Sequence, residues 1–192
     1  MTVAEPTEID ASPDSFRRMD ESTAEQWALI GERTSANQGR VADRIIMLLE
    51  SLAHISDGFI TDQLTHCLQT ATMAERAGAD EEMVFGALCH DIGKAISVPN
   101  HGAISAEMIK PYVRDDVYQS IKHHQDFQGR HYYQHFGVPT NLRDRFADES
   151  WFSLCEEFTD DWDQQAFDPD YDTLPLEHFE PLIRTLTAAA KF

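Results

Sequence analysis

Lysine is scarce in this chain. Only Lys94, Lys110, Lys122 and Lys191 occur in 192 residues, and Lys and Arg together number 15 against 34 Asp and Glu, a net charge of -19. So acidic a surface repels phosphodiester backbones and anionic membranes, which argues against nucleic-acid and membrane binding. The acidity itself reads as a solvated face. Cysteine is scarce too. Cys67, Cys89 and Cys155 are odd in number, lack CxxC spacing and sit in apolar helical patterns. They read as buried thiols of a reducing compartment, not as a disulfide framework. No apolar run reaches 18 residues and no signal-peptide core is present, so the expected location is cytoplasmic. Period-two alternation, internal repeats and a glycine-rich phosphate loop are all missing, which removes β architectures and P-loop nucleotide chemistry.

What is present is helical. Hydrophobic residues make up 42%, ordinary for a globular chain. Residues 1–20 are polar, carry Pro6 and Pro13, and are expected to be loosely ordered; residues 21–192 are expected to form a single helical domain. Thr23-Ala24-Glu25 opens a short helix with an approximate capping signal. Val41, Ile45, Leu48, Leu49 and Leu52 form one stripe at 3.6 periodicity over roughly 40–55. Further helices are expected over 62–77, ended by Gly78, and over 81–91, with acids at its start. Others are expected over 102–113, 115–126, 139–147, 149–164 and 176–190. The fold class is all-α.

Into that pattern the chain sets His66, then His90-Asp91, His101, His124 and an acidic cluster with Asp163. Adjacent residues in a helix point about 100° apart, so a His-Asp pair suits one ion only where a helix is ending. Here the pair runs into Gly93, where the two side chains can converge and Asp91 can share its oxygens between two metals. His66 lies on the stripe of Leu64, Cys67 and Ala71, and His124 falls in phase with Val117 and Ile121, ahead of its neighbour His123. His101 precedes a helix and can reach across from a loop. Asp163 stands beside Trp162 near an apolar stripe and is the favoured last ligand, with Asp160 as the alternative. His54, His131, His135 and His178 read as surface or helix-end residues, and the run 167–172 as a turn.

The segment from His66 to Asp163 resembles the HD-domain superfamily of metal-dependent all-α proteins. Gln63-Leu64-Thr65-His66-Cys67-Leu68-Gln69-Thr70-Ala71 is similar to the first-ligand helix of the HD-domain oxygenases that cleave organophosphonates. His90-Asp91-Ile92-Gly93-Lys94 is similar to the myo-inositol oxygenase version, whose lysine contacts substrate. Ser120-Ile121-Lys122-His123-His124 resembles that enzyme's fourth-histidine segment, and Trp162-Asp163-Gln164 the segment supplying the last ligand. Ser56-Asp57-Gly58-Phe59 departs from the phosphonate enzymes, which carry a Tyr and a Glu before the first histidine, and Phe167 stands where those families have a lysine.

The resemblance implies an HD-type bundle around a dinuclear site held by His66, His90, Asp91, His101, His124 and Asp163. It implies two iron ions and Lys94 as a substrate-contacting catalytic residue. The expected reaction is oxidation or cleavage of a small hydroxylated polar substrate by dioxygen. The alternative is a manganese- or magnesium-dependent phosphohydrolase acting on a nucleotide or phosphoester. Substrate identity and oligomeric state are left open.

Overall fold

The computed structural model describes residues 16–191. The loose segment expected over 1–20 lies mostly outside the described residues; Met19–Glu21 at its end form a single 3₁₀ turn. Among the described residues there is no strand, so the fold is all-α. Chain contacts divide it into two units, one ending at Arg40 and the other beginning at Val41.

In the first unit, helix α1 (Ala24–Gln38) runs well beyond the short helix expected. Thr23 opens it with a full capping box: its hydroxyl accepts from the Gln26 amide at 3.3 Å, and Gln26 Oε1 accepts from the Thr23 N–H at 2.9 Å. The box therefore closes on Gln26 at the third helical position, not on Glu25, because only N3 reaches back to the cap. None of its residues is buried.

The second unit carries the remaining helices. Helix α2 (Val41–Ser51) buries Ala42, Ile45, Ile46 and Leu49; of the anticipated stripe Ile45, Leu49 and Leu52 are buried, and Val41 and Leu48 are half-buried. The chain then turns through Asp57 and Gly58, both at positive φ. Helix α3 (Gln63–Ala77) starts on Asp62, whose carboxylate accepts from the Thr65 amide, and ends on Gly78 at φ 85°. That left-handed cap is one glycine adopts without a Cβ penalty. Helix α4 (Glu81–Cys89) starts on Asp80, which accepts from the amides of Glu82 and Met83. It is buried on nearly every face and packs on α3.

Helices α5 (His101–Ile109) and α6 (Asp115–Gln128) pair with each other, and α6 also carries α7 (Phe152–Glu157). Arg114, rather than Asp115, occupies the cap position of α6. Helix α8 (Leu176–Thr187) lies against α2 and α4. The helix expected over 139–147 is a 3₁₀ turn, Leu142–Phe146. The one expected over 149–164 is broken: after α7 come a π-helical turn (Phe158–Trp162) and a 3₁₀ turn (Asp163–Gln165). All three cysteines are buried free thiols, and burial pushes the Cys67, Cys89 and Cys155 thiols above their usual range. No helix among the described residues is long and apolar enough to cross a membrane.

Candidate metal centre

Four helices deliver four imidazoles, and the turns that follow α4 and α7 two carboxylates, to one buried cluster. His66 comes from the first turns of α3, His90 caps the end of α4, His101 is the first residue of α5, and His124 lies in the last turns of α6. Their exposures do not exceed 4%, and those of Asp91 and Asp163 do not exceed 2%, so these polar groups have left water and need partners. Helix α4 ends at Cys89, and Asp91 has already left helical geometry at φ -105°, ψ 3°. The 100° rule is thereby released, and His90 and Asp91 converge as the Gly93 context implied.

The distances form two groups joined by one carboxylate. His66 Nε2 stands 3.1 Å from His90 Nε2 and 3.1 Å from Asp163 Oδ1. Asp91 Oδ2 lies 3.5 Å from both of those imidazoles. On the other side, His101 Nε2 is 3.2 Å from His124 Nε2 and 2.9 Å from Asp91 Oδ1. His66, His90 and Asp163 are together able to hold a metal ion, as are His90, Asp91 and His124.

Each imidazole is oriented by its other nitrogen. The Nδ1–H groups donate to Ala166 O (3.0 Å), Ala87 O (2.8 Å), Val98 O (2.7 Å) and Ile121 O (2.7 Å) for His66, His90, His101 and His124 respectively. With each Nδ1 proton committed this way, the four Nε2 atoms face one another, and each close pair needs a proton or a metal ion between them. Asp91 Oδ1 has no hydrogen-bond donor even with His101 Nε2 close by, because the His101 proton is on Nδ1. Lone pairs about 3 Å apart repel unless a cation lies between them, and about 3 Å is the spacing of neighbouring donors on one ion with bonds near 2.1 Å. The residues present therefore fit a metal. The donor set is imidazole and carboxylate without thiolate, which suits iron, manganese or zinc.

The electrostatics agree. Burial opposes ionisation of Asp91, but the charge of the neighbouring His90 holds its carboxyl well below the ordinary range. Asp163 is likewise lowered, by His90 and His66 against burial. Burial works against the His90 cation, yet Asp91 and Asp163 outweigh it and raise its pKa to about 10. His124 is lowered, chiefly by burial.

The choice between Asp163 and Asp160 is made by the π-helical turn. On a regular helix, Asp163 would sit about 100° past Trp162; one extra residue in a turn sets the following side chains back by about that angle. Asp163 so swings into the buried stripe of Phe158 and Trp162. Asp160 is turned outward and taken up elsewhere: Arg143 donates to both its oxygens at 3.2 and 3.0 Å, with His131 at 2.9 Å and Arg130 at 3.2 Å. His123 likewise faces away, stacked on Trp151.

Lys94 reaches the cluster from its edge. Its Nζ lies 2.6 Å from Asp91 Oδ2 and donates to Gln63 Oε1 at 2.8 Å.

Several supports escaped the sequence reading. Gln69 Nε2 donates to Asp168 O at 2.6 Å and Gln69 Oε1 accepts from the Asp168 amide at 3.2 Å. This pair pins the segment that presents Ala166 O to His66 and lays the Phe167 ring on the His66 ring at 4.2 Å. Gln128 Nε2 donates to both oxygens of Asp163 at 3.1 Å. One signal could have found them: Gln69 and Gln128 stand three and four residues after His66 and His124, the spacing of one helix face. Gln128→Leu is expected to free the Asp163 carboxylate and weaken metal retention by the His66–His90–Asp163 group by about 10- to 100-fold, as measured by metal titration.

Residues 64–166 match the family model described as HD domain. Comparison with curated proteins finds no match.

Proposed function

The chain belongs to the HD-domain family, whose members are generally metal-dependent enzymes, and from that premise we propose that it is a dinuclear iron oxygenase acting on a small hydroxylated polar substrate. His66, His90 and Asp163 would hold one ion, His101 and His124 the other, and Asp91 would bridge them with one oxygen to each. Bound iron would supply redox chemistry toward dioxygen and a Lewis-acid anchor for a substrate hydroxyl.

The chain's own residues set the conditions for that chemistry. The four Nδ1 hydrogen bonds keep every Nε2 free as a donor. Phe167 covers the His66 ring, and Phe158 stands edge-on to His90 at 5.5 Å, keeping water off the imidazoles. Gln128 holds Asp163, and Lys94 holds Asp91 at Oδ2.

The observation that carries the oxygenase over the phosphohydrolase is where the cations go. A phosphoryl group is bound by several uncommitted Arg or Lys side chains. Here Lys94 has its charge offset by Asp91, and Arg130 and Arg143 are engaged by Asp160, Arg145 by Asp126 and Lys122 by Tyr118, so a phosphoryl dianion finds no set of free cations. The expected result is oxygen uptake with iron-loaded protein on a panel of hydroxy acids, inositols and hydroxyphosphonates. Phosphate release from nucleotides or phosphomonoesters under argon, without oxygen uptake, would replace this reading with the phosphohydrolase.

A pH dependence follows from His90. Its pKa near 10 means that the metal-free site keeps a proton at neutral pH. An ion must displace that proton, so apparent metal affinity rises with pH, by about tenfold per unit for one proton, until the range of that pKa is passed. Calorimetric metal titration in two buffers of different ionisation enthalpy should show one proton released per chain at neutral pH.

A further inference from the structure

Two buried polar groups at the start of α3 are left without partners, and one of them, Gln63, borders the donors through Lys94. Gln63 is fully buried and Thr61 is 7% exposed, yet Gln63 Nε2 and Thr61 Oγ1 have no hydrogen-bond partner. A buried donor left unsatisfied is destabilising, so such groups are retained where something arrives to satisfy them. The orientation of the amide is not arbitrary. Lys94 has only donors, and its Nζ contacts Gln63 Oε1 at 2.8 Å, which forces the Gln63 NH₂ to the opposite side of the amide. The same ammonium lies 2.6 Å from Asp91 Oδ2, so the orphaned NH₂ stands one amide width from a group that touches the bridging carboxylate. Lys94 uses two of its three N–H groups in these contacts and is 14% exposed, leaving a third.

We infer that Gln63 is a specificity-determining residue whose Nε2, with the third N–H of Lys94, receives the carboxylate of a small hydroxy acid. The chemistry of the subsite selects that group. Every free position can donate, so the ligand group must accept, which excludes an amine. The positive charge of Lys94 is largely offset by Asp91, and the Gln63 amide is neutral. A monoanion with two acceptor oxygens therefore matches the subsite better than a dianion, whose second charge would be buried without a counter-ion. Lys94 in this arrangement orients Gln63 and shares the acceptor, while the hydroxyl beside the carboxylate points toward the donors around Asp91. In Gln63→Leu the side chain keeps its bulk and loses its donor; in Gln63→Glu an anion faces the incoming anion.

This inference rests on the metal-centre reading only for the position of Asp91, and the experiment separates the two. Metal-loaded full-length protein is titrated under argon with glycolate, lactate and glycerate by calorimetry, with 1-amino-2-propanol and hydroxymethylphosphonate as the contrasting probes. At least one hydroxy acid should bind the wild type. Gln63→Leu should weaken it by about tenfold or more, and Gln63→Glu further, with metal content and circular dichroism unchanged. A wild-type crystal soaked with the same acid, which needs no variant, should place a carboxylate oxygen in hydrogen-bond range of Gln63 Nε2. Failure of all three acids to bind, or preference for the phosphonate or the amine, overturns the inference. So does Gln63→Leu binding within twofold of wild type, or a water on Gln63 Nε2 that survives saturation. Because no turnover is involved, binding without later oxygen uptake would sink the oxygenase reading and leave the subsite standing.

Discussion

Asp91→Ala is expected to strip both ions from the protein and abolish activity. Each oxygen of this one carboxylate faces a different group of donors: Oδ2 lies 3.5 Å from His66 and His90, and Oδ1 lies 2.9 Å from His101 and 3.6 Å from His124. Removing it takes a ligand and a negative charge from both groups at once. The four remaining imidazoles are neutral donors, leaving Asp163 as the sole anion among the five. His101→Ala is the necessary contrast. It removes a donor from one group, so one ion should be depleted preferentially. Metal content by elemental analysis, after circular dichroism has shown the fold intact, distinguishes them. An Asp91→Ala protein that keeps one ion per chain at wild-type affinity would show that the carboxylate serves a single metal.

Among the glycines, Gly93 should be the one where an added methyl is most damaging, because it alone would meet backbone atoms closer than 3 Å. A Cβ at this position would lie 2.3 Å from the His101 carbonyl oxygen and within 3 Å of its Cα and carbonyl carbon. Those are backbone atoms at the start of α5, so no side chain can swing aside; either the turn carrying Asp91 or the helix carrying His101 must move. The Gly93 amide also donates to Ser105 Oγ at 2.9 Å, a bond that the same shift would break. Overpacking against backbone costs about 3 kcal/mol or more, which in a chain of this size lowers Tm by roughly 6–12 °C. The metal on the His101 side should be lost even under conditions where the variant stays folded. A variant that melts with wild-type Tm and retains its metal would mean that the two segments separate freely.

The glycine shows how far local pattern carries. From the sequence, Gly93 is simply the residue that lets the helix stop after His90-Asp91. Its second role, allowing the α5 backbone to touch the α4 exit, depends on a segment eight residues away and has no local signature. The amides behave similarly. Gln63, Gln69 and Gln128 each lie within one turn of a histidine, so their sharing a face with a ligand was available from helical spacing. Which of them would grip a loop, hold a carboxylate or be left unpaired depends on what folds against that face.

By itself the sequence determined the all-α class, the helices α2, α3, α4 and α6, and the six polar residues that come together in one buried cluster. It could do so because helical periodicity and capping are local, and because a polar residue in phase with an apolar stripe must end up buried. Tertiary structure alone decided the rest. The 149–164 segment broke into α7 and a π-helical turn that rotates Asp163 inward and leaves Asp160 to Arg143, an outcome set by packing against α6. The roles of the two Asp91 oxygens were decided the same way, since four helices distant in sequence must first converge before either oxygen has a neighbour.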